Sequence, residues 1–250
     1  MNELPKPETI DPRIILARQQ ILNRRLAWLL ILPFGATIIM VIMFLLLSAR
    51  LRDVEIGTQL VTIERYVVTD KNLPWAINQY EQIAATHPTA PILTRLGSLY
   101  FQSDPDKNRE IALQKLEMAK QADPQYWETY RNLTYVYFLS DRTRDAIEAG
   151  LMAVKLNPID AASYNNLAFI YATSKDPAIT NLELALRYAQ KAVELTKEQQ
   201  SDYLDTLAVV YHNLNDSDKA LANFRKAKAT ILGLQKLEKD FKKNYPDQTL

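Results

Sequence analysis

Apolar and polar positions follow a helical rhythm through most of the chain. Tyr130, Leu133, Thr134 and Tyr137 fall at i, i+3, i+4 and i+7, the spacing that gathers side chains on one face of a helix. Ala146, Gly150 and Ala153 make a second such stripe. Ser140, Asp141 and Arg142 stand between the two, where polar residues favour a turn. Pro158 closes the second helix, because proline lacks an N–H and clashes with the preceding turn. Large side chains on the first helix face small ones on the second, so the pattern predicts a closely packed helical hairpin. Such a hairpin cannot bury its own apolar face and must stack on copies of itself.

The copies are present. Leu96, Gly97 and Tyr100 repeat the first helix, and Ala112, Leu116, Ala119 and Pro124 the second. Leu167, Ala168 and Tyr171 pair with Ala185, Ala189 and Ala192; Leu207, Ala208 and Tyr211 pair with Ala220, Phe224 and Ala227. A degenerate first copy has Ile63 and Val67, then Ala76, Tyr80, Ile83 and Pro88. The unit is roughly 34 residues long. With its Leu-Gly/Ala-x-x-Tyr and Ala-x-x-x-Phe/Tyr/Leu-x-x-Ala motifs, the stretch from Gly57 to Leu234 resembles the tetratricopeptide repeat (TPR) family. The fold expected is all-α: a TPR helical-hairpin solenoid, residues 57–234, preceded by a single transmembrane helix. Five repeats are expected, at 57–89, 90–126, 127–160, 161–200 and 201–234, with a C-terminal helical extension and tail at 235–250.

The transmembrane expectation rests on Leu26 to Leu47, 22 residues (47 − 26 + 1) without a charge. At 1.5 Å per residue they can cross a hydrocarbon core of about 30 Å. Their 14 Leu, Ile, Val and Phe residues favour insertion by about 4–8 kcal/mol, at roughly 0.3–0.6 kcal/mol each. A cleaved signal peptide is the competing reading. The run is too long for that, and Leu47-Ser48-Ala49 is a poor cleavage site. The anchor is therefore placed at 26–48, after an N-terminal tail with a short amphipathic helix at 1–25 and before a helical connector at 49–56. Lys6, Arg13, Arg18, Arg24 and Arg25 precede it, against Arg50, Arg52 and Arg65 after it. That bias puts the N-terminus in the cytoplasm and the repeats outside, in the periplasm for a bacterial inner membrane.

Two internal loops are long. Tyr137 to Ala146 is nine steps, as is Tyr211 to Ala220, but Tyr100 to Ala112 is twelve and Tyr171 to Ala185 fourteen. Insertions of this kind serve as contact points or are tolerated as slack.

Composition narrows the chemistry. A net charge of +1 argues against a general nucleic-acid binder. With no cysteine there are no disulfides, thiolate metal sites or thiol nucleophiles. Five glycines leave no glycine-rich phosphate loop. His87 and His212 are too few for a metal site, and Asp202 and Asp205, three apart on one helix, read best as a solvated face. No Ser-His-Asp arrangement is present, so no catalytic residue, metal or cofactor is assigned.

Binding is the stronger reading. The TPR resemblance implies that the first helix of each repeat lines a concave groove for peptides or partner helices. The groove side would carry Arg131, Tyr135 and Phe138, then Asn165, Phe169 and Ala172, then Asp202, Asp205, Val209 and His212. Asn132 and Asn166 hold matching places, where an amide in related proteins bonds an extended peptide backbone; ordinary helix–helix polar pairing is the alternative. A carboxylate clamp is not expected, since Arg131 is the groove's lone cation of that kind. The chain thus reads as a membrane-anchored TPR scaffold or assembly factor. Its partners would be membrane-associated or envelope proteins, with the bilayer contacted through residues 26–48. The alternative is a constitutive accessory subunit of a larger membrane complex, held by its transmembrane helix.

Overall fold

A computed structural model describes the backbone of residues 12–70 and 72–244, and side chains chiefly at 40–67 and 72–233. Ten helices follow one another: α1 (Pro12–Asp70), α2 (Leu73–Thr86), α3 (Ala90–Ser103), α4 (Arg109–Ala122), α5 (Trp127–Leu139), α6 (Thr143–Leu156), α7 (Ala161–Thr173), α8 (Leu182–Leu195), α9 (Ser201–Asn213) and α10 (Ser217–Asn244). The chain falls into two compact units, Met1–Val61 and Thr62–Leu250.

In the first unit, the tail helix, the expected span and the connector all belong to α1. Among the described residues, no helix is long and apolar enough to cross a membrane. The expected span lies largely outside them, since side chains 21–39 are not described. Its described part, Met40 to Leu47, is apolar without interruption, and every one of these side chains is exposed.

The second unit is a solenoid. α3 pairs with α4, α5 with α6, α7 with α8 and α9 with α10, and each hairpin packs on the next. Contacts between successive odd helices (α3–α5, α5–α7, α7–α9) make those helices a continuous layer. The positions that define the repeat are the ones that bury: Leu96, Leu116, Leu133 and Leu167 have no exposed surface, nor do Ala112, Ala146, Ala153, Ala185 and Ala189. Thr94 and Thr129 share a hydrogen bond of 2.6 Å between hydroxyls inside this core.

Helix ends follow local chemistry. The Asn72, Asp160 and Asn181 side chains accept from the backbone N–H groups of Trp75, Ser163 and Leu184, satisfying donors that a helix start leaves open. The turn at Ser140–Arg142 puts Asp141 in the left-handed region (φ 57°), and Asn215 does the same between α9 and α10 (φ 60°). In both, an N–H five residues on returns to a tyrosine carbonyl: Arg142 to Tyr137 and Asp216 to Tyr211, each at 2.9 Å. The long loop after α7 closes the same way, from Asn181 N–H to Tyr171 carbonyl at 3.1 Å. The five extra residues bulge out, and the hairpin keeps its register.

At the start of the unit, Glu64 accepts from Arg95 Nε at 2.7 Å, from a second Arg95 nitrogen and from the Tyr80 hydroxyl. Burial works to raise the Glu64 pKa, but Arg95 and Tyr80 outweigh it and hold the carboxyl below its usual range.

Candidate protein-binding groove

The odd-helix layer carries the residues expected of a groove, and α5 and α7 bring five of them together. Tyr135, Phe138, Asn165, Asn166 and Phe169 line one cavity of ≈ 230 Å³, floored by Ile170. Phe138 meets Phe169 edge-on with centroids 5.8 Å apart, and Tyr135 meets Phe101 of α3 in the same way at 5.6 Å. Edge-to-face pairs are a favoured aromatic geometry. Tyr135 (47 %) and Phe169 (38 %) remain substantially exposed, so the ridge is open to a ligand.

One polar atom sits in this apolar setting without a partner. Asn165 Oδ1 is buried and accepts no hydrogen bond among the described residues. An unpaired buried acceptor costs about 1–3 kcal/mol.

The other expected residues are employed differently. Asn132 Nδ2 donates to the Glu128 carbonyl of its own helix at 2.8 Å. Arg131 pairs with Asp160 at 3.4 Å and lies over the Trp127 ring, 4.9 Å from its centroid. The same Asp160 caps α7 through Ser163, so Arg131 is bound into the junction between repeats. Ala172, expected on the groove side, is buried, and its carbonyl accepts from Asn213 Nδ2 at 2.9 Å.

Asp205 and His212 belong to a second cavity of ≈ 610 Å³, bordered also by Val209 and by Ala220, Leu221 and Phe224 of α10. Burial, followed by the charge of Asp202, raises the Asp205 pKa. Asp202 accepts a hydrogen bond from Ser201 and does not line either cavity. Among the described residues, no group of three or more His, Cys, Asp or Glu could hold a metal ion.

Sequence reasoning missed Phe101, although the signal was there. Phe101, Tyr135 and Phe169 stand 34 residues apart (135 − 101 and 169 − 135), a full repeat each time.

No protein-family model and no curated protein sequence matches the chain. Solved structures do. A crystal structure of MamA is 22 % identical, with a TM-score of 0.54, over 68 % of this chain and 95 % of that one. MamA from Desulfovibrio magneticus RS-1 is 18 % identical, with a TM-score of 0.55, over 69 % and 93 %. The Cut9–Hcn1 hetero-tetramer structure is 20 % identical, with a TM-score of 0.53, over 61 % of this chain and 28 % of that one. Both MamA and Cut9–Hcn1 are TPR proteins. The fold is that of the TPR proteins. At these identities the likeness concerns fold alone, and the TPR hairpins here are those read from Leu96–Ala119, Leu133–Ala153, Leu167–Ala192 and Leu207–Ala227.

Proposed function

We propose that this chain is a non-catalytic, membrane-anchored TPR scaffold or assembly factor. Its α5–α7 groove holds an extended or helical segment of a protein partner. The α5–α7 cavity carries this reading: walled by Tyr135, Phe138 and Phe169, with the amide residues Asn165 and Asn166 beside them, it suits a segment that brings apolar side chains and a polar group. The apolar surface of α1 supports the anchor. Met40 to Leu47 are at least 50 % exposed at every position, so this stretch of the helix is apolar all round, as a lipid-facing segment is. Fewer basic residues follow the anchor than precede it, which favours a periplasmic array in a bacterial inner membrane.

The groove is tested by selecting peptides from a random displayed library on the full-length chain in lipid nanodiscs. Selected peptides should lose at least about tenfold in affinity for Asn165→Leu or Phe169→Ala, while far-UV circular dichroism is unchanged. Equal binding to wild type and both variants refutes the groove. Alkaline extraction tests the anchor: the full chain should stay with membranes, and a chain lacking residues 26–48 should not. If partners bound in the cell are lost with the anchor and survive Asn165→Leu, the accessory-subunit reading replaces the groove reading.

A further inference from the structure

The last hairpin, α9–α10, ends on an uncovered face. Within each repeat, the middle residue of the Ala-x-x-x-Phe/Tyr/Leu-x-x-Ala motif is buried once the next hairpin stacks on it: Tyr80 is 4 % exposed, and Leu116 and Ala189 are at 0 %. Phe224 holds the same place in α10 and is 56 % exposed. An eleventh helix stacked on α10 would cover it. Instead α10 runs on as one helix of 28 residues, where α2, α4, α6 and α8 have 14 each. The cavity of ≈ 610 Å³ between α9 and α10 is the socket that results.

The uncovered face has two further properties. Leu221, Phe224, Ile231 and Leu232, all exposed, fall at i, i+3, i+10 and i+11, which is one stripe along α10. This is the kind of surface that α9 presents when it covers α7 and α8 with Leu204, Leu207 and Val210. Lys228 interrupts the stripe at i+7, an exposed cation amid apolar side chains that makes no ion pair among the described residues. Asp205 lines the adjoining socket, also without an ion pair among them. One face therefore holds an apolar knob, a socket, a cation and an anion, each lacking its complement.

We propose that this face is closed by the same face of a second copy of the chain. In an antiparallel two-fold arrangement, Phe224 of each copy enters the α9–α10 socket of the other, and each Lys228 reaches the other copy's Asp205. A two-fold interface joins one patch to itself, so a patch that supplies both halves of each contact is suited to it. The interface continues the stacking that already covers every earlier hairpin. It lies at the other end of the solenoid layer from α3 and is independent of what the α5–α7 groove binds.

The test is sedimentation equilibrium of the full-length chain in detergent micelles. Wild type should be dimeric, and Phe224→Glu monomeric with unchanged helicity. Asp205→Lys and Lys228→Asp should each weaken the dimer about tenfold, since both copies change together, and the double variant should recover to within about twofold of wild type. Recovery identifies the partner surface as another copy, because no other protein would carry the compensating change. A wild-type chain monomeric at about 100 µM overturns the proposal, and would leave the face to a different protein's helix. A dimer that survives Phe224→Glu is held elsewhere and overturns it too, as does a double variant no tighter than the singles.

Discussion

Gly150 offers the sharpest test of how the hairpins stack. In a helix interior, replacing glycine by alanine should stabilise by about 0.8–1 kcal/mol. Gly150 lies in α6 with no strained backbone to relieve, so propensity alone predicts a gain. Packing predicts the reverse. A Cβ there would sit 2.6 Å from Leu167 Cδ2, 2.9 Å from Leu167 Cγ and 3.3 Å from Thr134 Cγ2. Carbon atoms rest at about 3.5–4.0 Å, so the new methyl is roughly 1 Å too close. Leu167 is fully buried and cannot swing into solvent. Overpacking of this kind costs about 1–3 kcal/mol. Set against the propensity gain, Gly150→Ala should destabilise by about 1 kcal/mol. Leu167→Ala alone should cost about 2–5 kcal/mol by opening a cavity. In the double variant the clash is gone and the added methyl fills part of the void. The double should therefore be about 1 kcal/mol more stable than Leu167→Ala, a coupling of about −2 kcal/mol. Urea unfolding of the full chain, followed at 222 nm, gives these differences, and hydrogen exchange over residues 143–173 localises them. Repeat arrays do not always unfold in one step, so the local reading matters. A Gly150→Ala variant about 1 kcal/mol more stable than wild type, or an additive cycle, would refute the close approach of α6 to α7.

Thr94→Val should cost about 1–3 kcal/mol by leaving the Thr129 hydroxyl buried and unpaired, whereas Thr94→Val with Thr129→Val should cost less than the sum of the singles; thermal melts of the three variants decide this. Glu64→Gln should destabilise at pH 7 by about 1 kcal/mol, a figure reduced for screening because the side chain is 38 % exposed. The folded carboxyl is held below the ordinary glutamate range by Arg95 and Tyr80 against the effect of burial, so its stabilisation is complete above that range and fades as pH falls through the folded value. The gap between the melts of wild type and variant should therefore narrow as pH is lowered from 7 into the acid range, and a constant gap down to acid unfolding would count against the ion pair.

The hairpins were legible because one spacing recurs and each recurrence buries the same positions. Leu133, Leu167 and Ala146 could be placed in the core by counting alone, and the structure buries all three completely. Counting also placed Tyr135, Phe138, Asn165, Asn166 and Phe169 on one side of their helices, and these five line one cavity. It failed where an outcome depends on a partner outside the pattern. Arg131 takes its partner, Asp160, from the cap of another helix 29 residues away. Asn132 turns back on its own helix through Glu128, a local bond that a neighbouring leucine does not foretell. Ala172 has the groove's period, yet Asn213 and the packing of α9 cover it. Membership of the motif did not reveal that Phe224 is exposed, because exposure there depends on whether another helix stacks on α10, and none does among the described residues.

These differences have one physical origin. A solenoid is specified by contacts between nearest neighbours, so its interior positions are fixed by the repeat and its ends are not. Inside the array, Tyr80, Leu116 and Ala189 show that the motif position tolerates large or small side chains, provided the next hairpin covers it. At the last repeat no described residue supplies that cover, and Phe224 projects beside an open socket. Along the layer, by contrast, the α5–α7 cavity lies within the stack and keeps its aromatic walls regardless of what happens at the end. The two surfaces should therefore respond separately: Phe169→Ala should leave self-association unchanged, and Phe224→Glu should leave groove binding unchanged. A loss of both functions in either variant would mean that the array transmits strain from end to end, contrary to nearest-neighbour stacking.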